Sequence, residues 1–213
     1  MHLSFTTLNV FTTTRYVGNP LAVIRVPASL RSNLTEAQKQ KIAREFNYSE
    51  TTFLHEPAEG QDTADFDIFT PIARMSWAGH PTIGTALYAA TYPDAYPGVK
   101  KLKAVAGVIP FSHEPTTAMG KVTVAIPYDV HTHRKLLLNP FTREQNVPIV
   151  SIVRGMAFGL ALLPSLEALG QMNGPLVPAA DRYKPELFLD VGSGWGVGSV
   201  SYTHLTLPTI LRV

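Results

Sequence analysis

The stretch F-T-P-I-A-R-M-S-W-A-G-H-P-T-I-G-T-A, Phe69 to Ala86, joins the end of one element to the start of another. Phe66 and Ile68, with threonines at their flanks, read as a strand closed by Pro71. Gly79-His80-Pro81 then opens a helix expected over Thr82 to about Ala90, because proline suits a first helical turn. Ala86, Leu87, Ala89 and Ala90 make that helix apolar nearly all round, which predicts burial.

Upstream, Leu3 to Val10 and Leu21 to Val26 read as strands on either side of the turn signal Gly18-Asn19-Pro20. Thr35 with Gln38 forms a T-x-x-Q capping box, so a helix is expected from there to about Phe46, stopped by Asn47. Ser49 to Leu54 extends again. Downstream, Val105 to Phe111 and Lys121 to Ile126 read as a strand pair. Strands follow at Pro148 to Val153, Met156 to Leu163 and Leu187 to Val191, with a helix at Ser165 to about Gln171. Short strands mixed with few helices argue for an α+β fold and against a regular βαβ winding. The polar, His-rich stretch Asp129 to Arg143 predicts a change of domain, with Tyr128 to His133 as a solvated crossover. The expected division is a first domain over 1–130, an incomplete second domain over 131–199 and a non-native tail over 200–213.

The composition excludes several functions. The chain has 213 residues, 45% of them hydrophobic, which suffices for a sizeable core. Lys+Arg 18 against Asp+Glu 16 leaves a net charge of +2, with no basic stripe, which disfavours nucleic acid and anionic membranes. The absence of cysteine removes disulfides, zinc–thiolate sites and thiol bases. No apolar run approaches the roughly 20 residues of a membrane span. A soluble, cytoplasmic protein is the expectation.

Two residues invite chemistry. His80 sits at a helix N-terminus, where free N–H groups and the helix dipole favour an anion such as a carboxylate. Gly79 and Gly84 would admit a ligand close to the backbone. His80 also reads as a partly buried cap with no ligand. Glu50 precedes Phe53-Leu54, and a carboxylate on a strand entering a core suits a general acid or base. Taken alone, it reads rather as an exposed Glu at a strand start. His131-x-His133 has no third ligand nearby and reads as solvated, so no metal site is expected. Phe69 and Trp77 are expected to pack beneath the His80 loop, and Trp195 to anchor a glycine turn.

In order along the chain come N-V-F-T-x-x-x-Y-V-G-N-P-L-A-V (Asn9 to Val23), S-E-T-T-F (Ser49 to Phe53) and the Phe69–Ala86 stretch. Together they resemble the phenazine-biosynthesis PhzF-like isomerase family, which shares its fold with diaminopimelate epimerase. The resemblance is strongest over residues 3 to 90. It continues through P-I-V-S-I-V-R-G-M and P-S-L-E-A-L to about Gly198, where G-W-G-x-G is similar to fungal members. It implies two similar domains, each a curved sheet wrapped on a central helix, with the site in the cleft between them. It implies Glu50 as the proton-shuttling residue, and Gly79, His80 and Thr82 as substrate-binding residues. The implied reaction moves a proton between ring carbons of a hydroxylated cyclohexadiene carboxylate, without metal or organic cofactor. A homodimer is expected of the full-length parent. Arg74 departs from the pattern, since members commonly carry Glu there. The glycine-rich segment of the second domain, with its Asp and Ser, is missing, so the 213-residue chain is expected to be inactive and marginally folded.

Three other readings compete. A two-thiol racemase on the same fold is excluded by the cysteine count. F-L-D-V-G-S-G-W-G, Phe188 to Gly196, resembles the S-adenosylmethionine loop of methyltransferases, but fewer than about 20 residues remain to complete that fold. A non-catalytic small-molecule binder is the other alternative. The tail V-S-Y-T-H-L-T-L-P-T-I-L-R-V, Val200 to Val213, resembles the in-frame translation of a sequencing-library adapter. It reads otherwise as a Thr/Leu-rich strand broken by Pro208.

Overall fold

A computed structural model describes residues 2–115, 120–139, 142–163 and 165–171. The strand at Leu187 to Val191, the glycine segment with Trp195 and the tail from Val200 lie outside the described residues. The chain divides into two compact units, Met1–Pro127 and Tyr128–Val213.

The first unit is built on strands β1 (Phe5–Val10), β2 (Asn19–Val26), β3 (Glu50–His55), β4 (Thr63–Phe69), β5 (Arg74–Met75), β6 (Lys101–Ala104), β7 (Gly107–Glu114) and β8 (Lys121–Val124). They form one sheet in the order β1-β2-β3-β4-β6-β7-β8, with β5 paired to β4. Helices α1 (Glu36–Phe46) and α2 (Gly79–Thr91) connect its strands. Helix α2 packs on β1, β2 and β3 and also on β6, β7 and β8. A helix can touch both edge strands of one sheet only if the sheet curls around it. Helix α1 packs on β3 and β4 from the opposite face. With helices on both faces, β2 is a nearly continuous buried run, with Leu21, Ala22 and Val23 at zero exposure.

Side-chain alternation sorts β3 cleanly. Phe53 joins Ile24, Val26, Leu34, Ala43 and Phe69 in the core under α1. Thr52 points the other way, and its hydroxyl meets that of Thr85 on α2 at 3.0 Å. Glu50 therefore shares the α2 face, while His55 shares the α1 face. Gly84 is where α2 crosses β2: a Cβ there would lie 2.5 Å from Leu21 Cδ2 and 2.8 Å from Val10 Cγ2. Its absent side chain serves helix–sheet packing, which corrects the expectation of ligand approach at this glycine.

Local signals explain the helix ends. Thr35 caps α1 with the full capping box to Gln38. Asn47 ends it in the left-handed region at φ 53°, which asparagine tolerates. The pairing of β7 with β8 agrees with expectation, through Phe111 opposite Val124. Strand β6 is a difference. Val105 lies in the turn between β6 and β7, and the Lys-Leu-Lys-Ala of β6 alternates as a strand should but is only four residues long.

The second unit contains β9 (His131–Leu138), β10 (Gln145–Val153), β11 (Met156–Gly159) and α3 (Leu166–Gly170). The strands form an antiparallel sheet in the order β11-β10-β9. The second half of the expected crossover at Tyr128 to His133 is thus strand, from His131 onward. His133 is not solvated: it is 2% exposed, and its Nε2 lies 2.9 Å from Ser151 Oγ. Register brings Ser151 beside β9, where a buried imidazole and hydroxyl satisfy each other. The strand expected to reach Leu163 ends at Gly159.

Candidate active site

Parallel pairing of β2 and β3 sets Leu21 opposite Glu50, so the β1–β2 turn and the start of β3 share one end of the sheet. Asn19 Oδ1 and Ser49 Oγ meet there at 3.4 Å. Helix α2 begins at the same end, because β5 delivers the chain through buried Ser76, Trp77 and Ala78 to Gly79. His80 Nδ1 lies 3.3 Å from Glu50 Oε2, with side-chain exposures of 9% and 18%. The sequence thus named both members of a pair that the fold brings together across 30 residues.

The contact is within ion-pair reach but lacks hydrogen-bond geometry. Glu50 Oε2 and His80 Nε2 both lack hydrogen-bond partners. Burial lowers the His80 pKa below the ordinary histidine value, opposed by the Glu50 charge and a hydrogen bond with the Pro20 carbonyl. The imidazole is therefore neutral near pH 7. Among the described residues, the orphan polar atoms are those of Glu50, Thr51, His55, Ser76, Trp77 and His80. Glu50 and His80 meet on the α2 face and Ser76 and Trp77 lie on the approach to that helix, whereas strand alternation puts Thr51 with His55 on the α1 face. Buried polar groups without partners are costly, and their concentration at one place marks it as built for something else to bind.

The helix end supplies donors. No side chain caps α2 at Ala78. Thr82 N–H donates to the Ala78 carbonyl at 3.3 Å, and Pro81 has no N–H. The amides of Gly79 and His80 precede the first intrahelical donor and have no acceptor within the helix. A Cβ at Gly79 would meet Trp77 Cη2 at an ordinary 3.6 Å, so Trp77 does lie under this turn. Phe69 does not: it packs edge-on to Phe53, centroids 5.6 Å apart, in the core on the α1 face. Thr82 is fully buried, and its hydroxyl donates to the Ala78 carbonyl at 2.6 Å, so it braces the first turn. The Pro20 carbonyl is a site feature that sequence reasoning missed. Its signal was present in Gly18-Asn19-Pro20, which was read only as a turn.

On the opposite face of the sheet lies a second polar cluster. Asp67 Oδ2 accepts from Lys39 Nζ at 2.5 Å and meets His55 Nε2 at 2.9 Å, while Oδ1 accepts from Arg74. Arg74 also pairs with Glu36 at 3.1 Å. Burial pushes the Asp67 carboxyl up, but the bonds from His55 and Lys39 and the nearby charges outweigh it. The net result lies well below the usual carboxylate range. Arg74, the departure noted in the sequence, is thus half of a salt-bridged anchor. Among the described residues no group of three or more His, Cys, Asp or Glu is arranged to hold a metal. None of their helices is long and apolar enough to cross a membrane.

Comparison with known proteins places these features. A family model described as phenazine biosynthesis-like protein matches residues 8–184. An uncharacterized isomerase of Pasteurella multocida is 41% identical over 110 residues, covering 50% of this chain and 35% of that protein. The trans-2,3-dihydro-3-hydroxyanthranilate isomerase of Pseudomonas fluorescens is 39% identical over 94 residues, covering 44% of this chain and 32% of the enzyme. The matches thus span about a third of these curated relatives. Among solved structures, a predicted epimerase of Pseudomonas aeruginosa matches at TM-score 0.57 and 21% identity, over 79% of this chain and 63% of its own. A hydroxyproline epimerase of Agrobacterium vitis matches at TM-score 0.57 and 12% identity, over 94% and 65%. These neighbours share the α+β, diaminopimelate epimerase-like architecture of a curled sheet around a helix. With a family model matching 177 of its 213 residues (184 − 8 + 1), the chain belongs to the phenazine biosynthesis-like (PhzC-PhzF) family.

Proposed function

We propose that this protein is a proton-transfer isomerase acting on a small carboxylated ring, of the dihydro-hydroxyanthranilate kind. Glu50 is the general acid and base. The observation that carries this reading is the orphaned Glu50 Oε2 beside a neutral His80, whose Nε2 is equally without a partner, at the uncapped start of α2. A carboxylate oxygen with no hydrogen-bond partner is available to take a proton from carbon. The amides of Gly79 and His80 and the α2 dipole favour the substrate carboxylate, which holds the ring over Glu50. A conjugated ring spreads the charge left by proton removal, so a carboxylate suffices as base. The same carboxyl returns the proton at another carbon. The reading calls on no metal or organic cofactor.

The test is incubation with trans-2,3-dihydro-3-hydroxyanthranilate in deuterated water, followed by mass spectrometry. Positioned acid–base groups contribute about 10²–10⁴-fold, so Glu50→Gln should lower deuterium incorporation by at least about 100-fold. Equal incorporation in both proteins removes Glu50 from the mechanism. Anthranilate, which cannot isomerise, serves as a binding probe. Shifts of the Gly79 and His80 amide resonances without any exchange would favour a non-catalytic binder.

A further inference from the structure

We propose that Asp67 is a positioning residue: from the α1 face of the sheet it fixes the separation of Glu50 and His80 on the α2 face. This rests on the reading of Glu50 and His80 as the working pair.

Two backbone paths meet at Asp67. The first leads to Glu50. Asp67 is the cross-strand partner of Phe53, three residues along β3 from Glu50, and it also holds His55 on that strand. The second leads to His80. Asp67 binds Arg74, the first residue of β5. From Met75 the chain runs through Ser76, Trp77 and Ala78, all buried, into Gly79 and His80. A buried, close-packed connection passes a displacement on and does not absorb it.

Helix α1 braces the same hairpin from outside. Lys39, 5% exposed, bonds Asp67 and also Glu36, which in turn bonds Arg74. Gln40 Nε2 donates to the Thr70 carbonyl at 2.9 Å. Within the β4–β5 turn, Thr70 N–H and hydroxyl both donate to the Ala73 carbonyl, at 2.8 and 3.1 Å. The hairpin is therefore fixed at its turn by hydrogen bonds and at its base by Asp67. Both oxygens of Asp67 are occupied by protein donors, so its role is mechanical and not that of a ligand site.

The test reads the Glu50–His80 contact directly, by NMR titration of the His80 ring in four proteins: wild type, Glu50→Gln, Asp67→Asn and the double variant. The Glu50 charge supports protonated His80, so Glu50→Gln lowers the His80 midpoint in the otherwise wild-type protein. In the Asp67→Asn background that lowering should shrink to less than half. An equal lowering in both backgrounds overturns the proposal. The direct field of Asp67 on His80 is the same in the two proteins compared within each background and so cancels from each difference, and a loss of global stability alone leaves the coupling intact. If Asp67→Asn does not fold, Arg74→Gln decides by the same criterion. Its side chain is 40% exposed, and Arg74→Lys should restore the coupling. The measurement needs no turnover, so failure of the isomerase reading would show separately as absent deuterium exchange with the His80 coupling still present.

Discussion

The two faces of β3 and β4 treat buried charge in opposite ways. On the α1 face, Asp67 is surrounded by Lys39, His55 and Arg74, and every carboxylate oxygen has a partner. On the α2 face, at the start of the neighbouring strand β3 and of helix α2, Glu50 Oε2 and His80 Nε2 have none. The saturated cluster gives the sheet a fixed shape. The unsaturated one leaves bonding capacity for another molecule. The carboxylates distinguish the faces where residue type does not: each face holds a carboxylate and a histidine with one unpartnered ring nitrogen, but only Glu50 has an unpartnered oxygen.

That contrast makes opposite demands on stability and chemistry. Glu50→Gln should lose at least about 100-fold in deuterium exchange while its urea midpoint stays within the small range of surface substitutions, about ±0.5 kcal/mol. A large loss of stability would make the α2 face structural after all. Asp67→Ala leaves buried Lys39 with only the exposed Glu36 as partner and removes the carboxylate that Arg74 and His55 share, and breaking such a buried pair costs about 3–5 kcal/mol. Urea unfolding should show this, and a change below about 1 kcal/mol would break the contrast from the other side. Gly84→Ala places a methyl against Leu21 and Val10, which should cost about 1–3 kcal/mol of overpacking by the same measurement. Thr35→Ala removes the capping hydroxyl of α1 and should cost about 1 kcal/mol.

Acid separates the faces along a second axis. Both pKa values are lowered by folding, so each group stabilises the protein above its unfolded value and loses that contribution as pH falls. For His80 the loss begins as pH drops through about 6.5, and for Asp67 as it drops through about 3.9. Thermal melting against pH should therefore show an early decline that His80→Gln removes and Asp67→Asn does not.

Much of the first unit was legible in the sequence where a local rule decides it. Thr35 with Gln38, Asn47 and Pro81 each announce a helix end through their own chemistry. Glu50 and His80 were ambiguous singly and gained meaning from their order and neighbours. The rest depends on tertiary context. Strand β9 has a single fully buried side chain, His133, so no apolar alternation betrays it. Phe69 looked like support for the His80 loop because it is near in sequence, but strand alternation sends it to the α1 face. Arg74 could be flagged as a departure, yet its partners Asp67 and Glu36 are joined only by the pairing of β4 with β5 and the docking of α1.

The strict two-sidedness of β3 carries one more consequence. Between the stop at Asn47 and the core anchor at Phe53, the chain must count correctly, and what matters is parity. One residue inserted between Glu50 and Phe53 would leave Phe53 under α1 and turn Glu50 to the α1 face, a protein folded but with its carboxylate on the wrong side of the sheet. Two inserted residues would return a carboxylate to the right side, one pleat out of place. The position of the site is thus written partly in an odd-or-even number, a property that no single residue of the segment possesses.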